Sequence, residues 1–251
     1  AALPDNQRRI GELVNQLPPS RQTAYGAIAL GKSYQPSRSA FSCEALDTAE
    51  WTSADRQTSE TWLQRGADIA IDIDDQRAES FALGELGHLV ECRGDLETAM
   101  IFTQEAQLAA TEGLDSADSL YLWQWQMARL YRRQGYLAEA LTAYEQAVDT
   151  LESIRTEILV ADQDVQFDFR DTVEPIYREL IALQLATVPP EQTVATKQNQ
   201  SPVLEKLPAS PLESALLTAD SLRLAELQNY FGNDCILEPV AQARVDLLAQ
   251  S

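Results

Sequence analysis

His88 and Cys92 stand four residues apart, a spacing that places an imidazole and a thiol on one face of a helix. A thiol beside an imidazole is the minimum of a cysteine nucleophile. Both side chains project outward from the same cylinder, however. No nearby motif supplies a third group to orient the imidazole, or an oxyanion hole, so the pair is read as non-catalytic. Two ligands do not make a metal site, and no metal is expected there. Asp72-Ile73-Asp74-Asp75 has the acidity of a calcium loop but lacks its glycine and closing glutamate, and it reads as a helix N-cap cluster. No catalytic residue and no cofactor is expected.

The background chemistry narrows the choice further. The chain has 251 residues and carries 39 Asp and Glu against 19 Lys and Arg, a net charge of −20. Such a surface repels phosphate backbones and anionic lipid, which argues against nucleic acid and membrane surfaces as partners. No apolar run approaches the length of a membrane span. The chain begins Ala1-Ala2-Leu3-Pro4 without a basic or apolar leader, and a cytoplasmic location is expected. Cys43, Cys92 and Cys235 are odd in number and widely spaced. They read as thiols of a reducing compartment, neither a disulfide framework nor a zinc site.

The elements that carry these residues repeat. Gly94 and Gly135 are 41 residues apart, as are Ala99 and Ala140, and Ala106 and Ala147. The later unit holds Met127, Ala128, Tyr131, Gly135, Ala140, Tyr144 and Ala147. The earlier unit holds Leu86, Gly87, Val90, Gly94, Ala99 and Ala106, and carries Thr103 where the later one has an aromatic. Small residues at helix crossings let two antiparallel helices approach to about 8–10 Å, and the glycine ends the first helix of each pair. The pattern resembles the tetratricopeptide repeat (TPR), with a period of 41 in place of about 34. The extra residues fall between Ala106 and Gln124, where Glu112-Gly113-Leu114-Asp115-Ser116 reads as a helix stop followed by an N-cap. A helix over Thr23–Tyr34, with Leu30, Gly31 and Tyr34 in matching places, forms a degenerate or interrupted first repeat. The expected fold is all-α, an α-α superhelix.

Repeat register aligns the faces that line a TPR groove. They carry Ile28, Lys32 and Gln35, then Gly84, His88 and Glu91, then Trp125, Arg129 and Arg132. Lys32, His88, Arg129 and Arg132 form a basic stripe in an acidic protein, with Arg133 close by and Trp125 as an apolar anchor. One reading makes the stripe a site for an acidic peptide. The other makes it a face whose arginines pair with local acids. Trp123 is read as core.

Five segments carry a narrower resemblance: Arg77–Gly84, Leu122–Gln126, Asp164–Arg170, Val173–Arg178 and Leu224–Phe231. In that order they resemble cyanobacterial TPR proteins that end in a CHAT domain, a caspase-like peptidase fold. The likeness covers roughly residues 77–185 and 216–235. In that family the peptidase domain follows the last of these segments. Here only about twenty residues do, so the family's catalytic His and Cys have no positions to receive them. The resemblance implies a sensor or regulatory region.

The expected organisation is TPR-like repeats over 1–186, ending in the first helix of a last pair. A proline-bearing flexible linker over 187–211 follows. The second helix of that pair and a tail occupy 212–251. The function expected is recognition of a protein or peptide, with Lys32, His88, Trp125, Arg129 and Arg132 as binding residues. A structural spacer or oligomerisation module is the alternative, and an enzyme using His88 and Cys92 a more distant one.

Overall fold

A helix can begin where a small polar side chain replaces the acceptor its first N–H groups lack. Five such residues open helices here, Ser210 before the last helix (from the Glu213 N–H) and four earlier ones. Ser20 accepts from the Thr23 N–H, Thr52 from Asp55, Asp75 from Ala78 and Asp95 from Thr98. Asp75, within the acidic cluster, is thus an N-cap as the sequence indicated.

The structure is a computed structural model that describes residues 3–35, 43, 51–113, 117–161, 173–187 and 210–231. The described residues are all helical and contain no strand. They fall into two compact units, one through Ile154 and one from Arg155.

The first unit holds α1 (Leu3–Gln16), α2 (Arg21–Ser33), α3 (Ser53–Asp72), α4 (Gln76–Arg93), α5 (Leu96–Glu112), α6 (Ala117–Gln134) and most of α7 (Leu137–Ala161). From α1 to α6 each helix packs on the next, and α4 also packs on both α2 and α6. The 41-residue period is visible in the boundaries. α4 and α6 begin at Gln76 and Ala117 and both have 18 residues, while α5 and α7 begin at Leu96 and Leu137. Gly94 and Gly135, which follow α4 and α6, have φ of 86° and 84°, a left-handed conformation that costs other residues about 1–2 kcal/mol.

Small residues permit the close approaches. A Cβ on Gly84 would lie 2.2 Å from the Trp123 ring, and Trp123 is fully buried, as expected of a core residue. The Trp123 indole donates to Ser80 Oγ at 2.9 Å, so the ring is enclosed without stranding its N–H. Thr103 has a specific reason to replace an aromatic. Its hydroxyl donates to the Ala99 carbonyl and accepts from Gln126 Nε2 at 2.7 Å. That amide occupies the space beside Gly87 where a Cβ would sit.

The connection between α2 and α3 is long. α2 ends at Ser33 and its partner α3 starts only at Ser53, whereas two residues separate α4 from α5. Trp51 holds the end of this connection. Its buried indole donates at 2.8 Å to the carbonyl of Tyr34, the C-cap of α2.

The second unit contains α8 (Glu174–Ala186) and α9 (Pro211–Phe231), which pack together. Pro175 lies in the first turn of α8, as its sequence predicts. Ile176, Tyr177 and Leu180 are buried, and Thr218 donates to Gln184 Oε1 at 3.1 Å. Residues 188–209, most of the linker expected over 187–211, and residues 232–251 lie outside the described residues, as does the Asp164–Arg170 segment.

Gly84→Ala is expected to cost about 1–3 kcal/mol or more through overpacking against Trp123. Gly94→Ala should cost about 1–2 kcal/mol through backbone strain alone, since a Cβ there meets nothing within 4 Å. Urea midpoints of the two variants check this. A Gly84→Ala variant as stable as the parent would refute the close-packing account.

Candidate functional site

The C-terminal half of α4 carries His88, Glu91 and Cys92, at spacings of three and four that place them together. Glu91 is the centre of the site. Its side chain is only 2% exposed, and a buried carboxylate must be paired to remain charged. The Arg129 guanidinium from α6 forks onto it, with Nε 3.2 Å from Oε1 and Nη2 3.0 Å from Oε2. His88 Nδ1 lies 3.4 Å from Oε2. Arg133, one turn beyond Arg129, donates at 2.9 Å to the backbone carbonyl of Glu91 and so satisfies an acceptor in the last turn of α4. Burial alone would raise the pKa of Glu91. The Arg129 charge, the hydrogen bonds from His88 and Arg129 and the charge of His88 outweigh that effect and lower it to about 2.

The expected groove residues occupy a different environment from the one their spacing suggested. His88 is fully enclosed. Trp125, expected as an anchor open to a ligand, is 2% exposed and lies under the Arg129 guanidinium, 4.5 Å from the ring centroid. Arg129 is mostly buried and committed to Glu91. Lys32 on α2 is half exposed, and its ammonium pairs at 3.0 Å with the buried Glu85 of α4. Arg132 is exposed. The structure therefore brings His88, Trp125 and Arg129 together as an interior network, and keeps Lys32 and Arg132 at the surface. The geometry pairs Lys32 with Glu85, and His88 and Arg129 with Glu91. The reason is depth. Helical register gives the shared face, but between adjacent α4 and α6 that face is interior.

The thiols also differ from expectation. Cys43 and Cys92 form a disulfide, with Cα atoms 5.0 Å apart and a sequence separation of 49. They are not free thiols. Cys43 comes from the connection between α2 and α3, so the bond ties that connection to the last turn of α4. His88 Nε2 lies 3.6 Å from Cys92 Sγ and Nδ1 lies 3.9 Å from it. Glu91 is the orienting third group that the His88–Cys92 spacing alone did not supply. Cys43 Sγ, Cys92 Sγ and a His88 ring nitrogen all lie within 4.8 Å of one another.

A second polar cluster joins the other ends of α4 and α6. Arg77 pairs with Asp118 through two nitrogens, Nε at 3.1 Å and Nη2. It also donates to Tyr25 Oη at 2.8 Å and lies over the Phe81 ring. Ser80 and Ser119 are hydrogen-bonded at 2.9 Å just inside it. The sequence reading singled out none of these as functional, and their roles here are structural.

No family model and no curated protein matches the chain. Among solved structures the chain is similar to BtubC (BKLC) from P. vanneervenii, with 14% identity, a TM-score of 0.45, and coverage of all of this chain and 91% of that one. A likeness at that level carries no argument. Among the described residues no helix is long and apolar enough to cross a membrane.

Glu91 yields a pH prediction with a definite sign. Its folded pKa of about 2 lies below the ordinary 4.5, so its ionised form stabilises the fold fully above about pH 4.5. That contribution, on the order of 3 kcal/mol, is lost as pH falls from about 4.5 to 2. Denaturation midpoints across that window should fall more steeply for the parent than for Glu91→Gln. Parallel curves would refute the assignment.

Proposed function

We propose that the chain is a protein- or peptide-binding scaffold, an α-α superhelix of TPR-like repeats. The observation that carries this reading is the repetition of one helical hairpin. α4–α5 and α6–α7 share the start positions of both helices, the left-handed glycine between them and the small residues at the crossings. Tandem hairpins of this kind offer extended faces to other chains. The five ordered segments that resemble TPR proteins with a CHAT domain support a narrower form of the proposal, a sensor or regulatory region of a caspase-like peptidase. On this reading the chain itself has no catalytic role.

Of the cations of the stripe, Arg132 is the one suited to an acidic partner, since His88 and Arg129 are inside and Lys32 pairs with Glu85. Titration of acidic peptides with free carboxyl ends should show binding that weakens with rising salt, because exposed charges are screened over about 8–10 Å. Arg132→Ala should weaken it by up to about fivefold, the range of an exposed ion pair. Arg129→Ala should instead lower the denaturation midpoint. Equal affinities for the parent and Arg132→Ala would end the acidic-partner form of the proposal.

Ile10, Leu13 and Leu17, on or just after α1, are 42, 47 and 53% exposed and fall at helical spacing. This apolar stripe favours the second reading, an oligomerisation module. Sedimentation would show a dimer dispersed by Leu13→Glu if that reading holds, and a monomer for both proteins if it does not.

A further inference from the structure

We propose that Cys43 and Cys92 form a reversible thiol–disulfide exchange site, in which an external dithiol attacks Cys43 and His88 stabilises the Cys92 thiolate that leaves.

The two sulfurs sit in unlike surroundings. Cys92 lies on α4, beside a buried ion network, while Cys43 lies in the long connection between α2 and α3. Both residues are of intermediate exposure, neither sealed in the core nor standing free. His88 is placed by its contacts. Nδ1 faces the Glu91 carboxylate, and the ring lies against Cys92 Sγ, with Nε2 at 3.6 Å and Nδ1 at 3.9 Å. A protonated ring at that distance faces the Cys92 thiolate as an imidazolium and stabilises it.

The remaining charged groups make His88 the deciding residue. Cys92 lies in the last turn of α4, where the helix dipole disfavours an anion. Glu91 adds negative charge next to it, and Arg129 from α6 balances that carboxylate. The Lys32–Glu85 pair, from α2 and α4, is a second matched pair of opposite charges. Arg133 from α6 is spent on the Glu91 carbonyl and Arg93 pairs with Glu60 on α3. Among the described residues, the imidazole is the group that touches Cys92 Sγ and can offset a thiolate.

The exchange proceeds in two displacements. A thiolate of the dithiol attacks Cys43 Sγ and forms a mixed disulfide. The Cys43–Cys92 bond breaks, and its electron pair stays on Cys92 Sγ. The second thiol of the reductant then attacks the mixed disulfide and releases Cys43. The dithiol leaves as a cyclic disulfide. Two electrons and two protons have passed to the cysteines. In the reverse direction a disulfide of the external dithiol first forms the mixed disulfide on Cys43; the Cys92 thiolate, facing the His88 imidazolium, then attacks Cys43 Sγ and the external thiolate leaves.

The test uses the full chain, oxidised, with glutathione as a monothiol probe and dithiothreitol as the dithiol. Adducts are quenched in acid and mapped by mass spectrometry. The expected adduct is on Cys43, and reduction by dithiothreitol is expected under conditions that leave the far-ultraviolet spectrum unchanged. In His88→Gln the reduction should be about threefold slower, the size of effect expected at a Brønsted slope of roughly 0.5 when the leaving thiolate loses a partner worth about one pKa unit. Because His88→Gln could disturb folding, Cys43→Ser supplies an independent readout. Alkylation of its Cys92 by iodoacetamide should show a pH midpoint below the ~8.5 of an ordinary cysteine. A glutathione adduct on Cys92, a disulfide reduced only after unfolding, or an ordinary midpoint would each overturn the proposal. Protection of both reduced thiols by one equivalent of zinc would also overturn it, in favour of a metal site built from the two sulfurs and His88.

Discussion

The burial of one negative charge organises the first unit. Glu91 lies between α4 and α6, where an unpaired carboxylate would be costly, and its neighbours are arranged around that constraint. Arg129 must reach it from α6. Trp125, one turn earlier on α6, becomes the surface that supports the guanidinium. His88 turns toward it, and Arg133 closes on its backbone. Removing one partner from such a pair typically costs about 3–5 kcal/mol, because the other charge is left stranded. Register between these two helices is therefore set by charge as well as by the small residues that let them approach.

Much of the architecture was legible because it depends on local rules. A left-handed turn leaves glycine as the undemanding choice, so Gly94 and Gly135 announced the hairpins and their period. Pro175 and Asp75 marked helix starts for equally local reasons. What was not legible depends on depth and on distant pairing. Helical spacing correctly put Glu91 and Arg129 on matching faces. It could not tell that the faces meet, or that Glu85 and Glu91 would neutralise the basic stripe. Cys43 lies 49 residues from Cys92, and no spacing rule joins them. The break between α2 and α3 hid α3 in the same way, because the glycine turn that marks the later hairpins is missing there.

These placements change where recognition can occur. A protein of net charge −20 whose Arg129 and Lys32 are paired with its own buried carboxylates has few cations to offer a ligand. The groove reading relied on sequence register to find them. Exposed apolar side chains such as Ile101 and Leu108, seven apart on α5, are contacts of another kind, made without charge. A partner chosen by apolar fit would be insensitive to salt, whereas one chosen by Arg132 would not.

Arg77 and Asp118 occupy the same position in successive repeats, the second residue of α4 and of α6. A bond between equivalent positions requires that the two copies differ, because a base must face an acid. Duplication alone could not have produced it. Identical copies would place arginine against arginine or aspartate against aspartate, and the ends of the two helices would repel. Divergence at this position is thus a condition of that contact, and two helices built from one averaged sequence would lack it however well their apolar residues matched.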